Sequence, residues 1–320
     1  MLCYNLQLIS FSYLNILIRG LDVSCGLNQR VQRIIMFDIK DKNVLITGAT
    51  SGIGRAAALS LSNMGANISF IARNSEKADK LCKEIFDNTD KRPNSIIADM
   101  SSQEDIKKAA HEYIQLGIPL HVLLNNAGIM NSSRRETVDR FEEIFAVNHL
   151  AYYSLTLLLL DKIKESAPSR IVNVSSGAHT FVKNMDFDDL QSEKTYKPFK
   201  VYGYSKLANI LFTKKLASLL KNDSVTVNCL HPGFVSTSLG QQNDFPILKF
   251  FITPLTKLFA RSGDKGAESS IYLCSSPEVS ETTGEYFFNC KVEKTTQGAR
   301  NEDDADRLWK VSSQLTGISL

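Results

Sequence analysis

The sequence predicts an α/β protein built on one doubly wound parallel sheet with helices on both faces. Short runs of branched apolar residues recur along the 320-residue chain, and stretches with helical periodicity separate them. A glycine-rich turn joins the first apolar run to the first helical stretch, as in a strand-to-helix connection. No linker rich in Pro, Gly and Ser divides the chain. We therefore expect one domain over residues 36–320, preceded by an extension, 1–35, of uncertain role.

The first predicted strand is Asn43–Thr47, and the turn after it has the spacing Gly-x-x-x-Gly-x-Gly. A helix-forming run begins at Arg55, directly after the turn. Glycines let a backbone approach a pyrophosphate closely, and a helix N-terminus offers unpaired N–H groups and the positive end of its dipole. A tight turn without a ligand is the alternative interpretation. The pattern favours a Rossmann-type dinucleotide site, whose predicted contacts are Gly48, Thr50, Ser51, Gly52, Ile53 and Gly54.

The second predicted strand, Asn67–Ala72, ends without an acidic residue. In sites that prefer NAD an acid near the end of this strand holds the ribose 2′-hydroxyl, whereas an arginine accommodates the 2′-phosphate of NADP. Here Arg73 and Asn74 follow the strand, and Arg55 lies just past the glycine turn. These residues favour NADP(H). The alternatives are NAD(H) and two ordinary surface arginines.

Four later strands are predicted to end in short polar segments at one edge of the sheet. They are Ser95–Ala98, His121–Leu124, Arg170–Val174 and Val225–Leu230. Ligands of doubly wound sheets bind outside the carboxyl ends of the strands, so the residues that follow are candidate contacts. Asp99 follows the first of these strands, where its alternative role is to cap the helix that begins near Ser101.

A long helical pattern from Phe141 to Leu160 places Asn148 in a helix interior. A buried amide there must find hydrogen-bond partners, because an unpaired polar group costs about 1–3 kcal/mol. His149 is its neighbour, and we interpret it as a packing residue.

Tyr202 and Lys206 lie four residues apart in a helical pattern, so both side chains face the same way. A free phenol has a pKa of about 10, and a neighbouring cation is expected to lower it. Tyr202 would then be poised to exchange a proton with an alcohol or a carbonyl. Tyr204 faces about 200° away round the helix, which excludes it from the same pocket. The pair alone is weak evidence, since many solvated helices carry Tyr and Lys at this spacing.

In this order the motifs resemble those of short-chain dehydrogenases/reductases, and they are most similar to the retinol dehydrogenase-like branch. The resemblance runs from about Lys42 to about Phe288. The long segment between Ser176 and Tyr202 is typical of that branch. The matching motifs are Thr47–Gly54, Asp99, Asn125–Gly128, Asn148, Ser175-Ser176, Tyr202 with Lys206, and Pro232-Gly233.

The resemblance implies an oxidoreductase that uses NADP(H) to interconvert a lipophilic alcohol and its aldehyde or ketone. It implies that Tyr202 transfers the proton and that Lys206 lowers its pKa and binds the nicotinamide ribose. Ser176 would orient the carbonyl, with Ser175 as the alternative serine, and Asn148 would complete a proton relay. The further cofactor contacts that it implies are Asp99, Met100, Asn126, Ala127, Gly128, Pro232, Gly233, Val235 and Thr237.

Charge, cysteine spacing and the absence of one motif argue against several other functional classes of protein. The net charge is +3 with both signs interspersed, which argues against a nucleic-acid partner. Six cysteines show neither a C-x-x-C pair nor metal-ligand spacing, so we expect reduced thiols and no metal site. A Ser hydrolase would need a Gly-x-Ser-x-Gly elbow, which the sequence lacks. A cytoplasmic location follows, with membrane association on the cytosolic side left open.

Two segments carry the remaining alternatives. The extension 1–35 contains an interrupted apolar stretch, Leu6 to Ile18, which is shorter than the ~20 residues that a spanning helix needs. We therefore expect the extension to be dispensable for the chemistry, with an anchor as the alternative. The apolar segment at about 240–262 is interpreted as a substrate lid, which offers a peripheral membrane contact; core packing or a subunit contact is the alternative. A homodimer and a catalytically silent dinucleotide-binding scaffold are the other hypotheses.

Overall fold

The structure is a computed structural model, and it describes residues 37–233 and 263–320. The extension 1–35, the lid segment at about 240–262, and the predicted contacts Val235 and Thr237 lie outside the described residues. Statements below refer to the described part of the chain.

The sheet has eight strands in the order β3-β2-β1-β4-β5-β6-β7-β8. The strands are β1 (Asn43–Thr47), β2 (Asn67–Ala72), β3 (Asn94–Ile97), β4 (Val122–Asn125), β5 (Ser169–Val174), β6 (Val225–Leu230), β7 (Tyr286–Phe288) and β8 (Lys291–Val292). Neighbouring strands from β3 to β7 pair in parallel, and β8 returns antiparallel to β7. The six predicted strands are all present, and their ends shift by no more than one residue.

Eight helices accompany the sheet in the described residues. They are α1 (Gly52–Asn63), α2 (Ser75–Thr89), α3 (Gln103–Gln115), α4 (Glu143–Phe145, a π turn Ala146–Leu150, and Ala151–Leu158), α5 (Leu160–Glu165), α6 (Pro198–Leu219), α7 (Gly263–Ser275) and α8 (Glu302–Thr316). One apolar core packs α1, α2 and α7 against one face of the sheet. A second core packs α3, α4 and α6 against the other face.

Both faces of the central strands are covered, which explains their uninterrupted apolar sequences. Every residue of β1 is buried, and its alternate side chains enter different cores. Val44 and Ile46 belong to the core under α1, and Leu45 belongs to the core under α4. The doubly wound α/β fold expected from the sequence is confirmed.

The sheet order reverses direction between β1 and β4, because the chain first adds strands on one side of β1 and then on the other. This topological switch point is where doubly wound sheets bind their ligands, outside the carboxyl ends of the strands. The glycine turn after β1 and the polar segments after β4, β5 and β6 therefore meet at one edge.

The C-terminal helix α8 packs on α6 and α4. Trp309 stacks on Phe212 with ring centroids 5.9 Å apart, and its centroid lies 5.2 Å from that of Tyr153. The Tyr153 hydroxyl donates to the Ile318 carbonyl across 3.1 Å. α8 thus covers part of the outer surface of α4 and α6, and the homodimer stays a prediction. Among the described helices none is long and apolar enough to cross a membrane.

Candidate active site

The glycine turn is packed so closely that side chains are excluded. Gly48 has φ +67°, and a Cβ there would lie 2.9 Å from the Cα of Ala127. A Cβ on Gly54 would lie 2.3 Å from the Gly48 carbonyl oxygen. Ser51 occupies the N-cap of α1, and its side chain makes no capping hydrogen bond. The N–H groups of the first turn of α1 therefore have no side-chain acceptor at the cap, which fits a pyrophosphate.

Asn126 braces this turn from β4. Its side-chain Nδ2 donates to the carbonyl oxygens of Thr47 and Gly48, at 2.9 Å and 3.2 Å. The backbone N–H groups of Asn126 and Ala127 both donate to Thr47 Oγ1, each at 2.9 Å. The amide of Asn126 is thus directed at the protein backbone, and its contribution to a ligand site is to hold the glycine turn in place.

The region after β2 carries the two arginines that the sequence selected. Arg55 projects from α1 and pairs with the Glu84 carboxylate on α2, with Nε 3.1 Å from Oε2. Arg73 is exposed and follows β2 directly. Asn74 caps α2 by accepting the Lys77 N–H at 2.8 Å. The end of β2 itself therefore presents the exposed Arg73 and no acidic residue, while Arg55 on α1 is paired with Glu84.

The structure corrects the capping alternative for Asp99. Ser102 is the N-cap of α3, and its hydroxyl accepts the Asp105 N–H at 3.2 Å. The Asp99 carboxylate instead accepts the Ser101 N–H at 2.9 Å, which closes the turn before the helix. Met100 is buried in the core under α3, so only its backbone faces the strand ends.

Asn148 lies in the π turn of α4, a local widening of the helix that recurs at functional sites. Its Nδ2 donates to the Ile129 carbonyl and to Ser205 Oγ, each at 3.0 Å. Its Oδ1 accepts the Ile129 N–H at 2.8 Å. The side chain is fully buried and satisfied, and it ties α4 to the segment after β4 and to α6.

Lys206 lies 3% exposed on α6, next to Asn148. Its Nζ donates to the Val174 carbonyl at 3.1 Å. A Cβ on Gly128 would contact Lys206 Nζ at 3.5 Å and Asn148 Oδ1 at 3.4 Å, so both side chains reach the same point. Burial lowers the pKa of Lys206 to about 7, which places its protonation change near neutrality.

Tyr202 faces the same region from one turn earlier on α6. The Lys206 ammonium lies 5.5 Å from the centroid of its ring. Burial raises the pKa of Tyr202 to about 12, and a hydrogen bond from Ser176 acts in the opposite direction. In the protein by itself the pKa of Tyr202 is therefore raised and not lowered, and the lowering effect of Lys206 stays a prediction. Withdrawal of the phenol from water outweighs the nearby amine, whose own charge burial also disfavours.

The two serines after β5 have different partners. The Ser175 hydroxyl is buried and donates to the Lys206 carbonyl at 2.8 Å, which fastens β5 to α6. Ser176 is half-buried, and its hydroxyl lies close enough to Tyr202 to act on the pKa of that phenol, in the lowering direction. Of the pair, Ser176 is thus the serine that the structure brings to the tyrosine.

The sequence analysis did not identify two residues that contribute hydrogen bonds to the site, Tyr152 and Ser205. Tyr152 donates its hydroxyl to the Ala127 carbonyl at 2.8 Å, and it follows Asn148 by four residues on the same helix face. Ser205 receives the Asn148 amide; its place between Tyr202 and Lys206 was the available signal. His149, in contrast, packs as expected, with Nε2 2.9 Å from Ser312 Oγ.

The segment after β6 is described as far as Gly233. Gly233 has φ +82°, and its N–H donates to Nδ1 of His231 at 3.2 Å. The His231 ring stacks on Phe288 with centroids 4.0 Å apart. Pro232 and Gly233 thus form a turn anchored on β7.

A family model and the curated relatives agree on the family, and a solved structure agrees on the fold. The family model described as short chain dehydrogenase matches residues 42–245. Human retinol dehydrogenase 14 is 41% identical over 295 residues, covering 87% of each chain. Mouse retinol dehydrogenase 12 is 38% identical over 283 residues, covering 88% of each chain. A solved structure of an uncharacterized protein from Mycobacterium paratuberculosis superposes with TM-score 0.71 and 26% identity, covering 90% of this chain and 97% of that one.

Proposed function

The chain belongs to the short-chain dehydrogenase family, in its retinol dehydrogenase-like branch, and we propose that it interconverts a lipophilic alcohol and its aldehyde or ketone with NADP(H). The family and the relatives support an oxidoreductase acting on alcohol and carbonyl groups. The observation that carries the proposal is the convergence of four side chains, Asn148, Ser176, Tyr202 and Lys206, at the switch point of the sheet.

The residues around the glycine turn fit a nicotinamide dinucleotide. At Gly48 and Gly54 the turn leaves no room for a side chain, and the start of α1 offers N–H donors to a pyrophosphate. When bound, the nicotinamide supplies or accepts the hydride, which no protein side chain can do. The further contacts that we assign to the cofactor are Asp99, Met100, Asn126, Ala127, Gly128, Tyr202, Lys206, Pro232, Gly233, Val235 and Thr237.

The proton on the substrate oxygen is assigned to Tyr202. With a pKa raised to about 12 the phenol is protonated at neutral pH, so it is ready to donate to the oxygen of a carbonyl undergoing reduction. In the reverse direction it must give up a proton, and the ammonium form of Lys206 favours the phenolate that results. The half-buried Ser176 hydroxyl hydrogen-bonds the same oxygen and stabilises charge that develops there.

Asn148 contributes through its buried position. Its amide links Ile129 and Ser205, next to the Lys206 ammonium at Gly128. We assign it to the proton relay that restores Lys206 and Tyr202 after each turnover. The amide also keeps α4 and α6 in register, so its loss would disturb both neighbours.

The preference for NADP(H) rests on the exposed cations after β2. Arg73 and Arg55 lie near the strand end where a ribose 2′-phosphate is bound in this fold, and no acid stands there to favour NAD(H). A lipophilic substrate is supported by the names of the relatives, which are retinol dehydrogenases. With NADPH as the reductant, carbonyl reduction is the proposed physiological direction.

The test is turnover of retinol with NADP⁺, and of the corresponding aldehyde with NADPH, by the full chain and by Tyr202→Phe. Removing the phenolic proton should lower kcat by about 10²–10⁴-fold, the usual contribution of a positioned acid or base. NADPH affinity, measured by nicotinamide fluorescence, should stay within a few-fold. Tyr204→Phe is the matched control, since that phenol lies on another face of α6, against Asp186 and Asp189.

Each result discriminates between the alternatives. Retained turnover in Tyr202→Phe would remove Tyr202 from the chemistry. Tight NADPH binding by the wild-type chain without turnover of any hydrophobic aldehyde or ketone would favour the silent scaffold. Equal or tighter binding of NADH would overturn the assignment of Arg55 and Arg73.

A further inference from the structure

A short 3₁₀ turn, Gly177–Phe181, follows the serine pair and holds Ser176 at its N-cap. Ser176 has extended backbone geometry, with φ −160° and ψ 155°. The Ala178 N–H donates to its hydroxyl oxygen at 3.1 Å. Because this oxygen accepts from the turn, its own proton remains available for a second oxygen. The turn therefore determines where the Ser176 proton points.

His179 holds the backbone carbonyl of Ser176. It is 3% exposed, and its Nδ1 lies 2.8 Å from the Ser176 carbonyl oxygen, which also accepts the His179 backbone N–H at 3.2 Å. Nδ1 also lies 3.4 Å from the Tyr286 hydroxyl, which is the longer of its two contacts. Because the nearer partner is a carbonyl, which can only accept, we assign the proton of the neutral ring to Nδ1. Burial lowers the pKa of His179, which keeps the ring neutral. Its Nε2 is buried and has no hydrogen-bond partner in the described part of the chain.

The ring of His179 is itself held by the sheet. Tyr286 on β7 packs against it edge-on, with centroids 5.1 Å apart and planes at 69°. His231, before the Pro232-Gly233 turn, also stacks on Tyr286, with centroids 5.6 Å apart. The position of Ser176 is thereby linked, through His179 and Tyr286, to His231 and the Pro232-Gly233 turn after β6. This turn is the segment that we place next to the nicotinamide.

The turn also packs directly on α6, beside Tyr202. A Cβ on Gly203 would lie 2.9 Å from the Ala178 carbonyl oxygen and 3.5 Å from the Cβ of Phe181. Backbone oxygen at that distance cannot be displaced by a rotamer change, so the turn itself would have to move. Because Gly203 has no side chain, the turn can pack against α6 directly beside Tyr202.

We propose that His179 is a positioning residue of the reaction, which holds Ser176 against Tyr202 by donating its Nδ1–H to the Ser176 carbonyl, in a turn that Gly203 allows to pack on α6. The inference rests on the proposed function, in which Ser176 and Tyr202 bond the same substrate oxygen. His179 acts only through Ser176. Loss of its donor should leave the serine present but misplaced.

The first experiment needs no turnover. Histidine labelled with ¹⁵N in the full chain reports the tautomer of each ring, and the signal missing from His179→Asn assigns His179. We expect the Nδ1–H tautomer from pH 6 to 8. A ring protonated on Nε2, or a cationic ring, would overturn the proposal whatever the enzyme catalyses.

The second experiment separates the two ring nitrogens by kinetics. The side-chain amide introduced by His179→Asn can replace the Nδ1–H, whereas the longer side chain of His179→Gln reaches toward the position of Nε2. We expect His179→Gln and His179→Leu to lower kcat by about 10- to 100-fold, as displacement of a reacting group by about 1 Å does. His179→Asn should recover kcat to within about 3-fold of wild type, and the Kd of NADPH should be unchanged in all three. Equal losses in His179→Asn and His179→Gln, or full activity in His179→Leu, would overturn the proposal.

Gly203→Ala tests the same geometry from α6. The added Cβ would meet the Ala178 carbonyl oxygen at 2.9 Å, so the turn must shift, and we expect the Tm to fall despite the better helix propensity of alanine. A purely structural role predicts this fall in Tm with unchanged kcat below the transition, whereas the positioning role predicts in addition a kcat loss of about 10-fold or more. Thr180→Ala is the control, because the exposed Thr180 hydroxyl bonds Gly177 within the turn and does not reach Ser176. Unchanged kcat in Gly203→Ala would contradict the proposal.

Failure of the proposed function gives a different pattern. If the wild-type chain turns over no alcohol or carbonyl, the function fails, while the ¹⁵N tautomer still decides whether His179 holds Ser176. If the wild-type chain is active and Tyr202→Phe is not, the function stands, and the His179 variants alone decide the positioning role.

Discussion

Lys206 and Arg55 are both cations near the carboxyl edge of the sheet, and their surroundings differ. Lys206 is 3% exposed, donates to the Val174 carbonyl and is close to the Asn148 amide. Arg55 is exposed and pairs with a carboxylate on the neighbouring helix. The first cation is surrounded by protein, and the second is surrounded by water and one side chain.

We call the region around Lys206 and Asn148 the buried end of the site, and the region around Arg55 and Arg73 the exposed end. The difference in burial indicates how each end responds to substitution. In the buried end, the hydrogen-bond partners of Lys206 and Asn148 are backbone groups or the fully buried Ser205, so the removal of one atom leaves another unsatisfied. In the exposed end, water replaces lost contacts, and an exposed ion pair is worth only about 0–1 kcal/mol. We therefore expect the proton chemistry to be sensitive to single substitutions and the choice of cofactor to be adjustable.

The largest effect is expected from Lys206→Met. Methionine has a similar length and suits the buried site, but it cannot donate to Val174 or carry charge beside Tyr202. We expect kcat to fall by about 10²–10⁴-fold, measured with retinol and NADP⁺. A fall of less than about 10-fold would show that the buried end is not the sensitive one.

Gly54→Ala extends the comparison to the glycine turn, which both ends share. The added Cβ would meet the Gly48 carbonyl oxygen at 2.3 Å, so the turn must open. We expect NADPH affinity to fall by about 10–100-fold and the free energy of unfolding by about 1–3 kcal/mol. Gly117→Ala is the control: Gly117 has φ +68° and nothing within 4 Å of an added Cβ, so its variant shows backbone strain without the clash. Equal cofactor affinity in both variants would contradict this account.

Arg73→Asp tests the exposed end. Reversal of the charge after β2 should lower NADPH affinity by about 10-fold or more, because a charge-assisted hydrogen bond is worth about 1.5–3 kcal/mol, while NADH affinity rises or is unchanged. Lys83→Asp makes the same charge change at an exposed residue of α2 and should leave the NADPH/NADH ratio as it is. If Arg73→Asp lowers kcat with saturating NADH as strongly as Lys206→Met, the two ends are not independent.

The last effect concerns the stability of the fold, through its pH dependence, and not the catalysed reaction. The pKa of Lys206 is lowered by burial to about 7 in the folded protein, from 10.5 as the ordinary value. Below pH 7 both states hold the proton, and the buried charge destabilises the fold. Between these two values the unfolded chain binds a proton that the folded chain does not, so stability rises with pH, by up to about 1.4 kcal/mol per pH unit.

Thermal unfolding of wild type and Lys206→Met at pH 7, 8 and 9 measures this contribution. The Tm of wild type should rise relative to that of Lys206→Met as the pH increases. Lys83→Met removes an exposed cation and should run parallel to wild type. Parallel curves for all three would mean that Lys206 is not desolvated as the structure indicates.

Much of the fold followed from local sequence patterns. The strands from β1 to β6 were identified because buried parallel strands read as short apolar runs, and their ends agree to within one residue. β8 has only two residues, both exposed, and so carried no such signal. The π turn at Asn148 also has no sequence signature, because it depends on how α4 packs between the segment after β4 and helix α6.

The sequence by itself determined the glycine turn at the start of α1, the order of the strand ends, and the shared face of Tyr202 and Lys206. These depend on backbone freedom, periodicity and helical spacing, which act over a few residues. Only the tertiary structure decided the protonation of that pair, since burial raises one pKa and lowers the other. It alone also directed Ser176 to Tyr202 and Ser175 to the Lys206 carbonyl. Desolvation and partner choice depend on elements that are distant in the chain and meet only in the folded protein.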